Sequence, residues 1–181
     1  MGKGANLYDL GYEYDGSANV ITDYLRMTYL WEKIRVQGGA YGTFCVFDDA
    51  SGVLTLLSYR DSNVAATLDN FDKAAAFLKG LDSSRLTENE IKKAIIAAIG
   101  DLDAYQLPDA KGYISMLRYL TNRTDELRQE IRDEVLSTNG EDFIAFGEVL
   151  EKVAQSNAVA VLGSQNALES ANIGLEVTKV L

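Results

Sequence analysis

Across the adjacent glycines Gly38 and Gly39 the hydrophobic period of the chain changes from steps of three and four to steps of two. A change of period is a change of element, so a helix must end and a strand begin within a few residues. Upstream, Val20, Tyr24, Met27, Trp31 and Ile34 recur at helical spacing, and Ser17 stands where an N-cap would open a helix running to about Val36. Those five residues are the expected buried stripe, with Arg26, Glu32 and Lys33 on the solvated side. Downstream, Tyr41, Thr43, Cys45 and Phe47 alternate with Phe44 and Val46. A turn at residues 48–52 follows, and Val53 to Tyr59 returns as a second strand. The hairpin is apolar on both faces near its middle, so one face is expected to pack on helices and the other on a second domain or a partner. The glycine pair permits positive φ without a Cβ clash. The turn can therefore keep Arg35, which closes the helix, near Tyr41, which opens the strand.

Residues 1–16, with Tyr8, Tyr12 and Tyr14, predict an extended segment, an edge strand. After Arg60-Asp61-Ser62 comes a helical block. Its first helix carries Val64, Leu68, Phe71, Ala75 and Leu78 and ends at Gly80; the second opens on a capping box of Thr87 and Glu90 and turns Ile91, Ile95, Ala98 and Ile99 inward. Pro108 precedes a third through Tyr113, Leu117 and Leu120, and Thr124 begins a fourth to about Leu136. Thr138 and Glu141 repeat the capping-box spacing before a fifth through Phe143, Phe146, Leu150 and Val153. Asn157 to Leu162 predicts a short buried strand, Gln165 to Ala171 helical turns, and Leu175 to Leu181 a last strand. Strands on both sides of a helical block predict an α+β fold, one mixed or antiparallel sheet covered on one side by helices. No repeat or composition shift marks a linker, so residues 1–181 are expected to form a single domain.

The chain of 181 residues, 47% hydrophobic and 24% charged, contains no histidine. That removes the usual general base near neutral pH, the Ser-His and Cys-His nucleophile pairs and the commonest zinc ligand. Hydrolytic chemistry by this chain alone is not expected. A net charge of −10 works against nucleic acid as a partner. No apolar run approaches the roughly 20 residues that span a bilayer, and no apolar h-region follows Lys3, so neither a membrane segment nor a secretory signal is expected. Cys45, the only cysteine, reads as a small core residue in an alternating strand. Asp48 with Asp49, Asp101 with Asp103, and Glu88 with Glu90 are carboxylate pairs, but a turn, a helix end and a first helical turn each explain one. The sequence Gly38-Gly39-Ala40-Tyr41-Gly42 follows a helix and precedes a strand, the reverse of a phosphate-binding loop. Arg35 offers a planar fork of donors and Tyr41 a hydroxyl donor for an oxyanion. From spacing alone, capping of the helix end by Arg35 and sheet packing of Tyr41 account for them better.

Three stretches carry a family resemblance: Gly11-Tyr12-Glu13-Tyr14-Asp15-Gly16-Ser17-Ala18, Leu30-Trp31-Glu32-Lys33-Ile34-Arg35-Val36-Gln37-Gly38-Gly39-Ala40-Tyr41-Gly42, and Ser58-Tyr59-Arg60-Asp61. With Gly100-Asp101-Leu102-Asp103-Ala104-Tyr105-Gln106-Leu107-Pro108-Asp109-Ala110-Lys111-Gly112-Tyr113, they resemble the last domain of presequence proteases, zinc metallopeptidases of the pitrilysin (insulinase) group that include falcilysin. The resemblance covers nearly the whole chain. It implies two halves closing around a peptide chamber, with zinc held by an inverted His-x-x-Glu-His motif in the first half, and no catalytic residue or metal site in the fourth, final domain. It further implies that Arg35 and Tyr41 match an arginine and a tyrosine that reach the substrate backbone beside the zinc. The implied partners are a peptide substrate and the remaining domains of the same peptidase. The implied setting is the bacterial cytoplasm, favoured here, or an organelle matrix. A free-standing binding or scaffold protein of the same fold is the second expectation, and an enzyme using Cys45 the third.

Overall fold

The computed structural model describes residues 1–156, 158–171 and 173–179. Its sheet has four strands, β1 (Gly2–Asn6), β2 (Gly42–Asp48), β3 (Val53–Tyr59) and β4 (Val159–Ala160), in the order β2-β3-β1-β4 with every pairing antiparallel. β1 is therefore interior and not the expected edge strand. Gly2 and Lys3 pair with Ala160 and Val159 on one side, and the strand runs along β3 on the other. Its approach to β3 is close: a Cβ on Gly4 would lie 2.3 Å from the Leu54 carbonyl oxygen. β4 is shorter than the strand expected over 157–162, and none of its residues is buried. Asn157 lies outside the described residues. The last strand expected over 175–181 is not formed through residue 179, and Val180 and Leu181 lie outside the described residues.

Side chains alternate across the sheet, so one face is buried and the other open. Lys3, Thr43, Cys45, Leu54, Leu56 and Ser58 face the helices and are buried; Phe44, Val46, Val53 and Tyr59 lie on the opposite face and are exposed. The helices are α1 (Ser17–Leu25), α2 (Val64–Lys79), α3 (Glu88–Leu102), α4 (Pro108–Leu120), α5 (Asp125–Ser137), α6 (Gly140–Gln155) and the short α7 (Gln165–Ala171). This is the α+β architecture, with α2 and α6 packing Phe71, Ala75 and Leu78 against Phe143, Phe146 and Leu150 in the core. α4 buries no side chain.

Two N-caps fall one residue from their expected places. Gly16 precedes α1 while the Asp15 carboxylate accepts from the Ser17 backbone N–H, and Asn139 with Asp142, not Thr138 with Glu141, forms the capping box of α6. Thr138 instead donates its hydroxyl to the Glu134 carbonyl. Thr87 and Thr124 cap α3 and α5 as their spacing predicts.

The main departure lies in the helix that leads to the glycine pair. From Arg26 to Gln37 it continues α1 as a π-helix, whose hydrogen bonds span five residues. Side chains five apart then share a face, and the buried set becomes Tyr29, Leu30 and Ile34. Met27, 57% exposed, and Trp31, 39% exposed, leave the expected stripe.

Candidate functional site

The π-helix ends in a turn that its own backbone closes. Gly39 adopts φ +76°, open to glycine without strain, and its N–H donates to the Arg35 carbonyl at 3.0 Å. The Ala40 N–H donates to the Ile34 carbonyl at 3.1 Å, and Ala40 is buried, which pins the turn to the core. The Asn63 side-chain amide donates to the Gly38 carbonyl from the start of α2. Backbone groups thus occupy the helix end, and the Arg35 side chain is not its cap. Its guanidinium lies 4.1 Å from the centroid of the Trp31 ring, one helical turn back, in cation–π contact.

Tyr41 enters β2 beside the end of β3. Its N–H donates to the carbonyls of Tyr59 at 3.1 Å and Arg60 at 3.3 Å. Tyr41 is 65% exposed, and its ring meets Tyr59 edge to face, with centroids 6.0 Å apart. Arg60 has φ +49° and places its guanidinium carbon 5.6 Å from the Tyr41 ring and 5.4 Å from the Tyr59 ring. The fold therefore brings Arg35 and Tyr41 to the two sides of one turn, each of them exposed. Trp31, Tyr59 and Arg60 complete the group. Sequence spacing does not single them out as site residues, although all three fall within the stretches that carry the resemblance.

Five of the six paired carboxylates, and Cys45, serve the fold. Asp48 accepts from the Ser51 hydroxyl and the Ala50 N–H in the hairpin turn, and these bonds hold its carboxyl below the ordinary range. Asp49 pairs with Arg123, Asp103 with Arg132, Glu88 with Lys92 and Glu90 with Lys93. Cys45 is buried, and burial pushes its thiol up to about 12, far from a nucleophile's range. Among the described residues no cluster of three His, Cys, Asp or Glu could hold a metal ion. With no histidine and one buried thiol, this chain's donor set does not fit a zinc centre. No described helix is long and apolar enough to cross a membrane.

Residues 1–165 match the family described as "PreP C-terminal domain". Presequence protease 1, chloroplastic/mitochondrial, of Arabidopsis thaliana is 48% identical over 95% of this chain and 16% of its own length. Protein HypA of Clostridium perfringens is 31% identical over 93% of this chain and 17% of its own. The mitochondrial presequence protease of Mus musculus is 29% identical over 83% of this chain and 14% of its own length. The chain thus spans about a sixth of the relatives it matches. It belongs to the PreP C-terminal domain family.

Proposed function

We propose that residues 1–181 form one domain, the C-terminal, non-catalytic domain of a zinc metalloendopeptidase of the pitrilysin (insulinase) group that degrades unstructured peptides. In this assignment the remaining domains supply the zinc site, and this domain closes one side of the peptide chamber. Arg35 and Tyr41 donate to carbonyl oxygens of the bound peptide backbone near that zinc, where fixed donors stabilise negative charge developing on oxygen. The observation that carries the assignment is that both residues stand exposed on one closed turn, with neither side chain spent on capping or core packing. Family membership and the names of the relatives support the reaction class. The absence of histidine and the buried Cys45 support inactivity of this chain on its own.

In the whole peptidase, Arg35→Ala and Tyr41→Phe are each expected to lower turnover of an unstructured fluorogenic peptide by roughly 10- to 1000-fold, with thermal stability unchanged. Unchanged turnover in both variants would refute the assignment. The organellar names of the plant and mouse relatives, and 48% identity to the former, favour an organelle matrix over the bacterial cytoplasm. The apolar open face of the sheet favours a domain of a larger protein over a free-standing scaffold.

A further inference from the structure

We propose that Arg60 is a positioning residue that holds the Tyr41 phenol in its donating orientation; the inference rests on Tyr41 being a peptide-backbone donor. At 65% exposure, Tyr41 is not fixed by core packing. It meets the Tyr59 ring edge to face and the Arg60 guanidinium over its face, and its N–H donates to the backbone carbonyls of Tyr59 and Arg60. Arg60 thus touches Tyr41 twice, once through its backbone and once through its side chain.

The backbone of Arg60 explains how both contacts form at once. At φ +49° the residue occupies the left-handed region, which glycine enters freely and a residue with a Cβ enters at a cost. That turn at the end of β3 brings the carbonyl within 3.3 Å of the Tyr41 nitrogen and leaves the guanidinium over the Tyr41 and Tyr59 faces. Glycine would make the same turn without strain. What arginine adds is a cation spanning two aromatic faces, an attraction that weakens if either ring rotates away. The Trp31–Arg35 contact on the other side of the turn is built on the same chemistry with the roles exchanged: there the ring steadies the cation.

The test separates the side chain from the backbone. In the whole peptidase, Arg60→Gly keeps the left-handed turn and removes the guanidinium. It is expected to lower kcat for an unstructured fluorogenic peptide about 3- to 10-fold with little change in KM, while the melting temperature holds or rises. Arg60→Lys, which keeps a cation over the rings, is expected to retain a larger share of kcat than Arg60→Gly. Because Arg60 acts through Tyr41, Arg60→Gly combined with Tyr41→Phe should be no slower than Tyr41→Phe alone. Wild-type kcat in Arg60→Gly beside a slow Tyr41→Phe would overturn the inference and leave the Tyr41 assignment standing. Multiplying defects in the double variant, or a fall in melting temperature that accounts for the loss, would also overturn it. Wild-type kcat in Tyr41→Phe would remove the assignment and the inference together.

Discussion

Arg35 and Tyr41 lie six residues apart, yet different forces hold them. The guanidinium rests on Trp31 within the same helix, whereas the phenol depends on Tyr59 and Arg60 from the neighbouring strand end. Cys45 sits between the sheet and the helices, where burial raises its thiol to about 12. A buried thiol held in its neutral form is a poor nucleophile. Iodoacetamide is therefore expected to label Cys45 only as fast as the protein opens, with prompt labelling once denaturant unfolds it; rapid labelling of the folded protein would contradict the buried placement. The period change at Gly38-Gly39 makes the helix-to-strand turn legible in the sequence, but spacing alone gives Arg35 a capping role and Tyr41 a packing role, and only the resemblance marks them as peptide contacts. Arg60 is not legible in the same way. Its importance comes from a left-handed φ and from a strand pairing that brings Tyr59 opposite Gly42, and neither leaves a periodic mark.

The elements themselves follow the hydrophobic pattern closely, and their faces follow it less well. A helix from Ser17 into the glycine pair is legible, but its stripe is not, because steps of three and four presuppose i→i+4 bonding. The π-helix over Arg26–Gln37 aligns Tyr29 and Ile34, five apart, and places Leu30 beside them in the core. Substitution distinguishes the two registers. Leu30→Ala, at a fully buried site, is expected to destabilise the protein by about 3 kcal/mol, and Met27→Ala by less than about 1 kcal/mol. Denaturant melts of the two variants check this, and the reverse order of effects would restore the α-helical stripe. β1 shows a similar limit. Its Gly-rich sequence suggests an edge, but the close approach that Gly4 permits, and the arrival of β4 from the far end of the chain, make it interior. Residues 175–179 alternate in the sequence yet form no strand.

At the scale of the whole molecule, two apolar surfaces stand uncovered among the described residues. One is the open sheet face with Phe44, Val46, Val53 and Tyr59; the other is α4, where Tyr113, Met116, Leu117 and Leu120 repeat at i, i+3, i+4 and i+7 and all are exposed. The hairpin's two apolar faces anticipate the open sheet face in the sequence. The α4 stripe has the spacing of an ordinary buried helix, because such a stripe does not say whether its cover is in the same domain. Surfaces of this kind fit a domain that spans about a sixth of its relatives' length. Contact between this domain and the peptide at Tyr41 is open to photocrosslinking. A photoreactive phenylalanine analogue is placed at Tyr41, or at the 86% exposed Tyr119 on α4, in the whole peptidase with a labelled unstructured peptide bound. A peptide adduct is predicted at position 41 and none at position 119; no adduct at 41, or equal adducts at both, would contradict that contact.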